Sequence, residues 1–331
     1  MASHLAVVRG DGVSAPAVRR TAIATPRLRG SATQALQRIG TLRLDWQPDV
    51  SRDAMFLIGI LVGLAYATGT FATPVDAVAY WQAGTSTELY PASWSQVANG
   101  YLFYPPPVAQ LSTLLQPIGW PAFILLFTAA TFAAFWYCAR RWSLLLVALG
   151  IPYFVGIGPE LPAVPLGYAL IGNLQWLLAA ATVLALRHPA LWSIELVTKV
   201  TTAMGWWWHL LRGEWRAAAI GAAASLLVVG VSFALGPDLW FDFAAFAFGN
   251  GTMANPPIPQ FPIPFGVRLV TGMALLIWGA RTNRAWTVPV VVGWSLPAVH
   301  SAGFLPFWIA AWRVRSLGSE RDRSSSPRVA R

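Results

Sequence analysis

The residues best placed to do chemistry are one acid, one lysine and a few polar groups at the ends of apolar runs. Asp76 stands in Asp76-Ala77-Val78-Ala79-Tyr80-Trp81, just past the first long apolar segment. A carboxylate with a pKa of about 3.9 is ionised there and can take a proton from a bound hydroxyl. The same residue would also suit the N-cap of a short helix over 77–84. Lys199 is the only lysine in the chain, and it lies inside the apolar stretch 191–211. A cation at membrane depth costs about 2.5–3.5 kcal/mol on insertion scales, so it must turn inward and meet a negative group. That group is either a bound anion or Glu195, four residues earlier on the same helical face. Arg268 poses the same question near the outer end of the segment 262–280, with snorkelling to the interface as the other solution. His300, in Leu296-Pro297-Ala298-Val299-His300, is either a donor to a ligand or a hydrogen-bonded structural residue.

Two further clusters could hold a polar ligand. Tyr101-Leu102-Phe103-Tyr104 is an aromatic strip ahead of Pro105-Pro106-Pro107, a rigid turn suited to launching a helix over 108–116. Gly172-Asn173-Leu174-Gln175 puts two amides at the start of the segment 168–186, where they bond either a ligand or a neighbouring helix. The single cysteine, Cys138, rules out a disulfide within the chain, and the four histidines are scattered. No metal site and no cofactor is expected.

The elements that must position these residues are membrane helices. The chain is 56 % hydrophobic and 11 % charged, against roughly 45–50 % and about 25 % in soluble domains. Eighteen tryptophans and eight tyrosines suit the lipid–water interface. The apolar segments are 54–73, 121–139, 143–158, 168–186, 191–211, 217–236, 262–280, 285–299 and 303–314. Arginines flank them: Arg140 and Arg141, Arg187, Arg212 and Arg216, Arg281 and Arg284 all sit at segment ends. The stretches 74–120, 159–167 and 237–261 contain no lysine or arginine. By the positive-inside rule this threads as about eight crossings with both termini cytoplasmic. Segment 191–211 begins and ends near arginine, so it must re-enter from the inside or be a broken pair. Long outer loops then carry Asp76, Glu88, Asp238 and Asp242. Residues 1–53 and 316–331 read as polar cytoplasmic tails around a membrane domain over 54–315. The net charge of +10 is spent on this rim, which speaks against a nucleic-acid partner. The expected fold class is an all-α polytopic membrane protein of the plasma membrane.

The order of these pieces resembles glycosyltransferase family 87, the polyprenol-phosphate-mannose-dependent mannosyltransferases of the GT-C superfamily. The resemblance covers about residues 55–312. It is carried by Asp76, Tyr80-Trp81-Gln82-Ala83-Gly84, Leu89-Tyr90 and Tyr104-Pro105-Pro106, then Gly172-Asn173, Lys199, Arg212-Gly213-Glu214-Trp215-Arg216-Ala217, and Pro297 with His300. It implies a GT-C-like helical bundle and an inverting transfer on the outer face. The donor would be a polyprenyl-phosphate sugar, with mannose as the implied sugar, and the acceptor an envelope glycolipid or polysaccharide. Asp76 falls in the place of the catalytic base. Lys199, Arg268 and His300 are the cations available for the donor phosphate. Tyr80, Trp81, Glu88, Tyr104, Asn173 and Gln175 are the candidates for substrate contacts. A transporter or lipid flippase would account equally well for the intramembrane cations, and a non-catalytic envelope-assembly protein is a further alternative.

Overall fold

The structure, a computed structural model, describes residues 49–86, 89–90, 104–154, 165–249, 262–296 and 303–325. Among these residues every regular element is a helix. Three stretches are long and apolar enough to cross a membrane: Val50–Ala67, the nearly continuous run Pro106–Pro152, and Trp215–Leu235.

The first helix, α1 (Val50–Ala67), starts inside the region read as a tail, because Asp49 accepts hydrogen bonds from the backbone of Ser51 and Arg52 and caps it. The second, α2 (Val75–Gln82), begins two residues earlier than the sequence suggests. Pro74 supplies the extended residue before the first turn, so Asp76 lies within that turn and is not its cap. Helix α3 (Pro106–Leu115) likewise takes Pro106 into its first turn, where a missing N–H costs nothing.

Helix α4 (Gly119–Ala139) runs antiparallel to α1 and packs along its length. The spacing Gly59-x-x-x-Gly63 makes this possible. A Cβ at Gly59 would lie 2.9 Å from the Phe132 Cβ, and one at Gly63 3.0 Å from the Leu125 Cα. Small residues at that interval are a recurrent means of close approach between membrane helices.

The chain continues through α5 (Ser143–Phe154) and α6 (Pro165–Leu170) to α7 (Gln175–Ala185). Segment 168–186 is therefore not one helix. It breaks at Gly172, whose φ of +73° is left-handed. Segment 191–211 is broken too. Helix α8 (Trp192–Thr198) ends at Lys199 in extended conformation (φ −138°, ψ 95°), a 3-10 stretch covers 200–206, and α9 (Trp207–Leu211) follows. Its two legs pack on each other: Trp192 lies against Gly205 and edge-on to His209. Both legs also meet the start of α10 (Trp215–Leu235). Trp206 Nε1 donates to the Ala218 carbonyl, and a Cβ at Gly221 would lie 3.0 Å from the Pro189 carbonyl. The segment is thus a hairpin that enters and leaves at one end of the bundle, with Lys199 at its tip.

Helix α11 (Pro237–Gly249) occupies half of what reads as an outer loop, and α12 (Phe265–Arg281) and α13 (Thr287–Trp294) follow. Helix α14 (Leu305–Ser325) runs well past the expected tail boundary at 316. The main core is built from α4, α7, α13 and α14 around Phe135, Trp176, Val291 and Phe307. A smaller one gathers Tyr66, Ala77, Tyr80, Tyr104 and Ile124. The flanking arginines sit at one end. Arg140 lies over Trp136, which donates to Ser51, and Arg313 over Tyr137, while Arg212 donates to Asn283. Asp76 is at the other end, beside the entrance to α7.

Candidate functional site

The site is assembled at the junction of α2, the 171–174 turn and the hairpin tip. Asp76 is tied to the turn twice. Its backbone N–H donates to the Ile171 carbonyl at 3.1 Å, and its carboxylate accepts from the Asn173 amide nitrogen at 2.7 Å. The amide of Asn173 has little choice of orientation. Its oxygen accepts from the Gln175 N–H at 3.0 Å at the start of α7, which turns the nitrogen toward Asp76. Gly172 permits the approach. A Cβ there would stand 2.6 Å from the Ala77 Cβ and 3.1 Å from the Ala77 nitrogen.

Two tyrosines line the same place. The Tyr80 and Tyr104 hydroxyls are 3.0 Å apart, and their rings meet edge to face. Both side chains are buried. Burial is the main force raising both phenols above their ordinary range, with the Asp76 charge adding to it, so both stay protonated and can donate. Tyr90 donates to the Tyr104 carbonyl and stacks on Phe246 of α11, which holds Tyr104 in place.

Lys199 reaches this cluster from the hairpin. Its ammonium stands 5.7 Å from the centre of the Tyr104 ring, within cation–π range. The sequence pairing of Lys199 with Glu195 is not formed. Glu195 is fully buried and turns instead to Thr182, accepting from its hydroxyl at 2.7 Å, and its other carboxylate oxygen has no hydrogen-bond partner among the described residues. The ion pairs within the described residues are Arg52–Asp53, His209–Glu214 and Arg212–Glu214, and none involves Lys199. Beside the tip an apolar cavity of about 600 Å³ opens between α10 and α12, lined by Val200, Thr201, Met204, Trp207, Leu226 and Leu269.

The other candidates are placed differently. Arg268 does not snorkel: it is 1 % exposed. It donates to the Trp294 and Leu296 carbonyls at the end of α13 and to the Ile263 carbonyl, a helix-capping role. Trp81 packs on Trp120 and Phe123 of α4. Gln175 is buried at the start of α7, and its side-chain oxygen has no hydrogen-bond partner among the described residues. Glu88 and His300 lie outside the described residues, as do residues 1–48 of the N-terminal tail.

Sequence reasoning missed Ala77 and Thr182. Ala77 matters because only a small side chain lets Gly172 dock on α2. Thr182 matters because it takes the carboxylate that spacing assigns to Lys199. Neither carries a local signal, since each acts on a partner far away in the chain. The arrangement holds an oriented carboxylate on α2, two neutral hydroxyls bonded to each other, and an ammonium against the ring of Tyr104. No group of three or more His, Cys, Asp or Glu among the described residues could hold a metal ion. No protein-family model, curated protein or solved structure matches the chain.

Proposed function

We propose that this chain is a multi-pass plasma-membrane glycosyltransferase that moves a sugar from a polyprenyl-phosphate donor to an envelope glycolipid or glycan on the outer face. In this reading both termini are cytoplasmic and the arginine end of the bundle faces the cytoplasm, in keeping with the positive-inside rule. The observation that carries it is that Asp76, held by Asn173, and Lys199, set against the ring of Tyr104, lie in one region without Lys199 joining any ion pair among the described residues. A base and a cation at one point are what this displacement requires. Asp76 takes the proton of an acceptor hydroxyl, and the hydroxyl oxygen forms a bond to the anomeric carbon. The bond from that carbon to the phosphate oxygen breaks on the opposite face, and the lipid phosphate leaves with the electron pair. Lys199 stabilises the charge that develops on it. Configuration inverts, because there is a single displacement. One of the Tyr80 and Tyr104 hydroxyls donates to the other, which is left to donate to a sugar or phosphate oxygen, and the apolar cavity beside Val200 receives the isoprenoid chain. Mannose as the sugar rests on the family resemblance.

A second reading is favoured by Glu195. A fully buried carboxylate in a broken membrane helix is a recurring feature of transporters, and a lipid flippase would use Lys199 for the same head group. The two separate in a deletion strain. A transferase predicts loss of one glycosylated envelope lipid by mass spectrometry, restored by the wild-type gene and not by Asp76→Asn. A flippase predicts restoration by both.

A further inference from the structure

At the arginine end, far from Asp76, a cavity of about 480 Å³ lies between the start of α1, the turn 140–142 and α14. Its wall includes Asp49, Arg140, Arg141, Trp142, Trp312 and Arg313. Among the described residues its wall thus holds three arginines and one carboxylate, and that carboxylate is already engaged. Asp49 accepts from the Ser51 N–H, the Arg52 N–H and the Ser51 hydroxyl, capping α1. Arg313 is 7 % exposed, an unusual place for a guanidinium, and lies over Tyr137. Arg140 holds a left-handed φ of +52° with its guanidinium 4.5 Å from the centre of the Trp136 ring. Strained backbone in a non-glycine residue persists where the surroundings fix it. Trp142 and Trp312 are 45 % and 62 % exposed at the cavity mouth. Trp308, one turn along α14 toward the middle of the bundle, continues the same exposed apolar face.

We infer that this cavity binds the phosphate head group of an anionic glycerophospholipid from the cytoplasmic leaflet. The adjacent cations Arg140 and Arg141 select an anion and offer their N–H groups to phosphate oxygens. The exposed tryptophans set the depth: such rings collect at the head-group level, so the cavity opens where a lipid phosphate sits. The ridge from Trp312 to Trp308 gives the acyl chains an apolar surface to follow. Basic pockets between membrane helices on the cytoplasmic side are a known mode of head-group recognition. The inference rests on the membrane orientation proposed above, and not on sugar transfer, so it can fail or stand without touching the role of Asp76.

The test is native mass spectrometry of the full chain in neutral detergent, with equal amounts of phosphatidylglycerol and phosphatidylcholine added. The wild type should retain phosphatidylglycerol in clear preference. Arg140→Gly with Arg141→Gln should reduce that preference about thirtyfold, at roughly fivefold for each cation near the head group. Glycine relieves the left-handed position, so this variant should fold at least as well as the wild type. Arg284→Gln, which removes a charge elsewhere on the same end, should leave the preference unchanged. Equal retention of the two lipids by the wild type, or undiminished preference in the double variant, would overturn the inference. So would displacement of the lipid by millimolar inorganic phosphate, which would make the cavity a site for a soluble anion.

Discussion

Asn173 and Asp76 are separated by 97 positions in the chain, yet the amide nitrogen of one lies 2.7 Å from a carboxylate oxygen of the other. Because the Asn173 oxygen is held by the Gln175 N–H, this contact orients the carboxylate as well as bonding it. Asn173→Ala should therefore cost two things. Loss of the backbone bond at the start of α7 should lower stability by about 1 kcal/mol. Loss of a hydrogen bond to a charged group, worth about 1.5–3 kcal/mol, should lower transfer by roughly 10–100-fold. Thermal unfolding in detergent and a transfer assay read the two separately, and unchanged transfer would show that Asp76 needs no such support.

Gly172 and Ala77 should behave as a pair. Gly172→Ala places a methyl 2.6 Å from the Ala77 Cβ at a φ of +73°, and a loss of about 1–3 kcal/mol is expected from strain and overpacking. Adding Ala77→Gly removes the clash but not the backbone strain, so stability should recover in part. Full recovery would mean that the left-handed backbone carries no cost. No recovery would mean that the contact does not.

Lys199 and Glu195 form no ion pair, so the energetic coupling between them is expected to be small. Glu195 is bonded to Thr182, so Lys199→Met should leave stability within about 1 kcal/mol of wild type, in place of the 3–5 kcal/mol that follows from breaking a buried pair. Transfer should be lost all the same. Adding Glu195→Gln should not restore it, and a double-mutant cycle on both readouts measures the coupling. Restored activity in the double variant would make Lys199 a structural counter-ion.

Cysteine labelling tests the orientation. The native Cys138 is 2 % exposed, which keeps the background low. In intact cells a membrane-impermeant maleimide should label Ser95→Cys and Asn250→Cys and should miss Gly30→Cys and Glu320→Cys. Labelling of the last two would reverse the assignment of sides and remove the outer-face reading of Asp76.

Much of this arrangement was legible in the sequence because membrane insertion imposes strong local rules. The arginine-flanked segment 191–211 reads as re-entrant or as a broken pair, and its helix does break at Lys199. The breaks were visible only as residues, not as geometry. Gly172 announces a turn, but its docking on Ala77 depends on a partner 95 positions away. The Lys199–Glu195 pairing, suggested by i, i+4 spacing, fails because helix α8 stops at Thr198 and Thr182 of another helix takes the carboxylate. Arg268 shows the same limit. Its type and depth call for a partner, and the carbonyls it caps belong to a helix end that only the fold brings near. The α1–α4 contact was readable from Gly59-x-x-x-Gly63, a spacing that sequence analysis passed over.

The role of Asp76 is tested most directly by Asp76→Asn. The substitution keeps the size of the side chain, and the new carboxamide oxygen can still accept from Asn173, so only the base is removed. Purified wild type and variant, reconstituted in vesicles with a labelled polyprenyl-phosphate mannose and an extract of envelope glycolipids as acceptor, are compared for initial rate of transfer. A loss of about 10²–10⁴-fold, in a variant that unfolds at the wild-type temperature, is the predicted result. Transfer by the variant at near the wild-type rate would contradict the account.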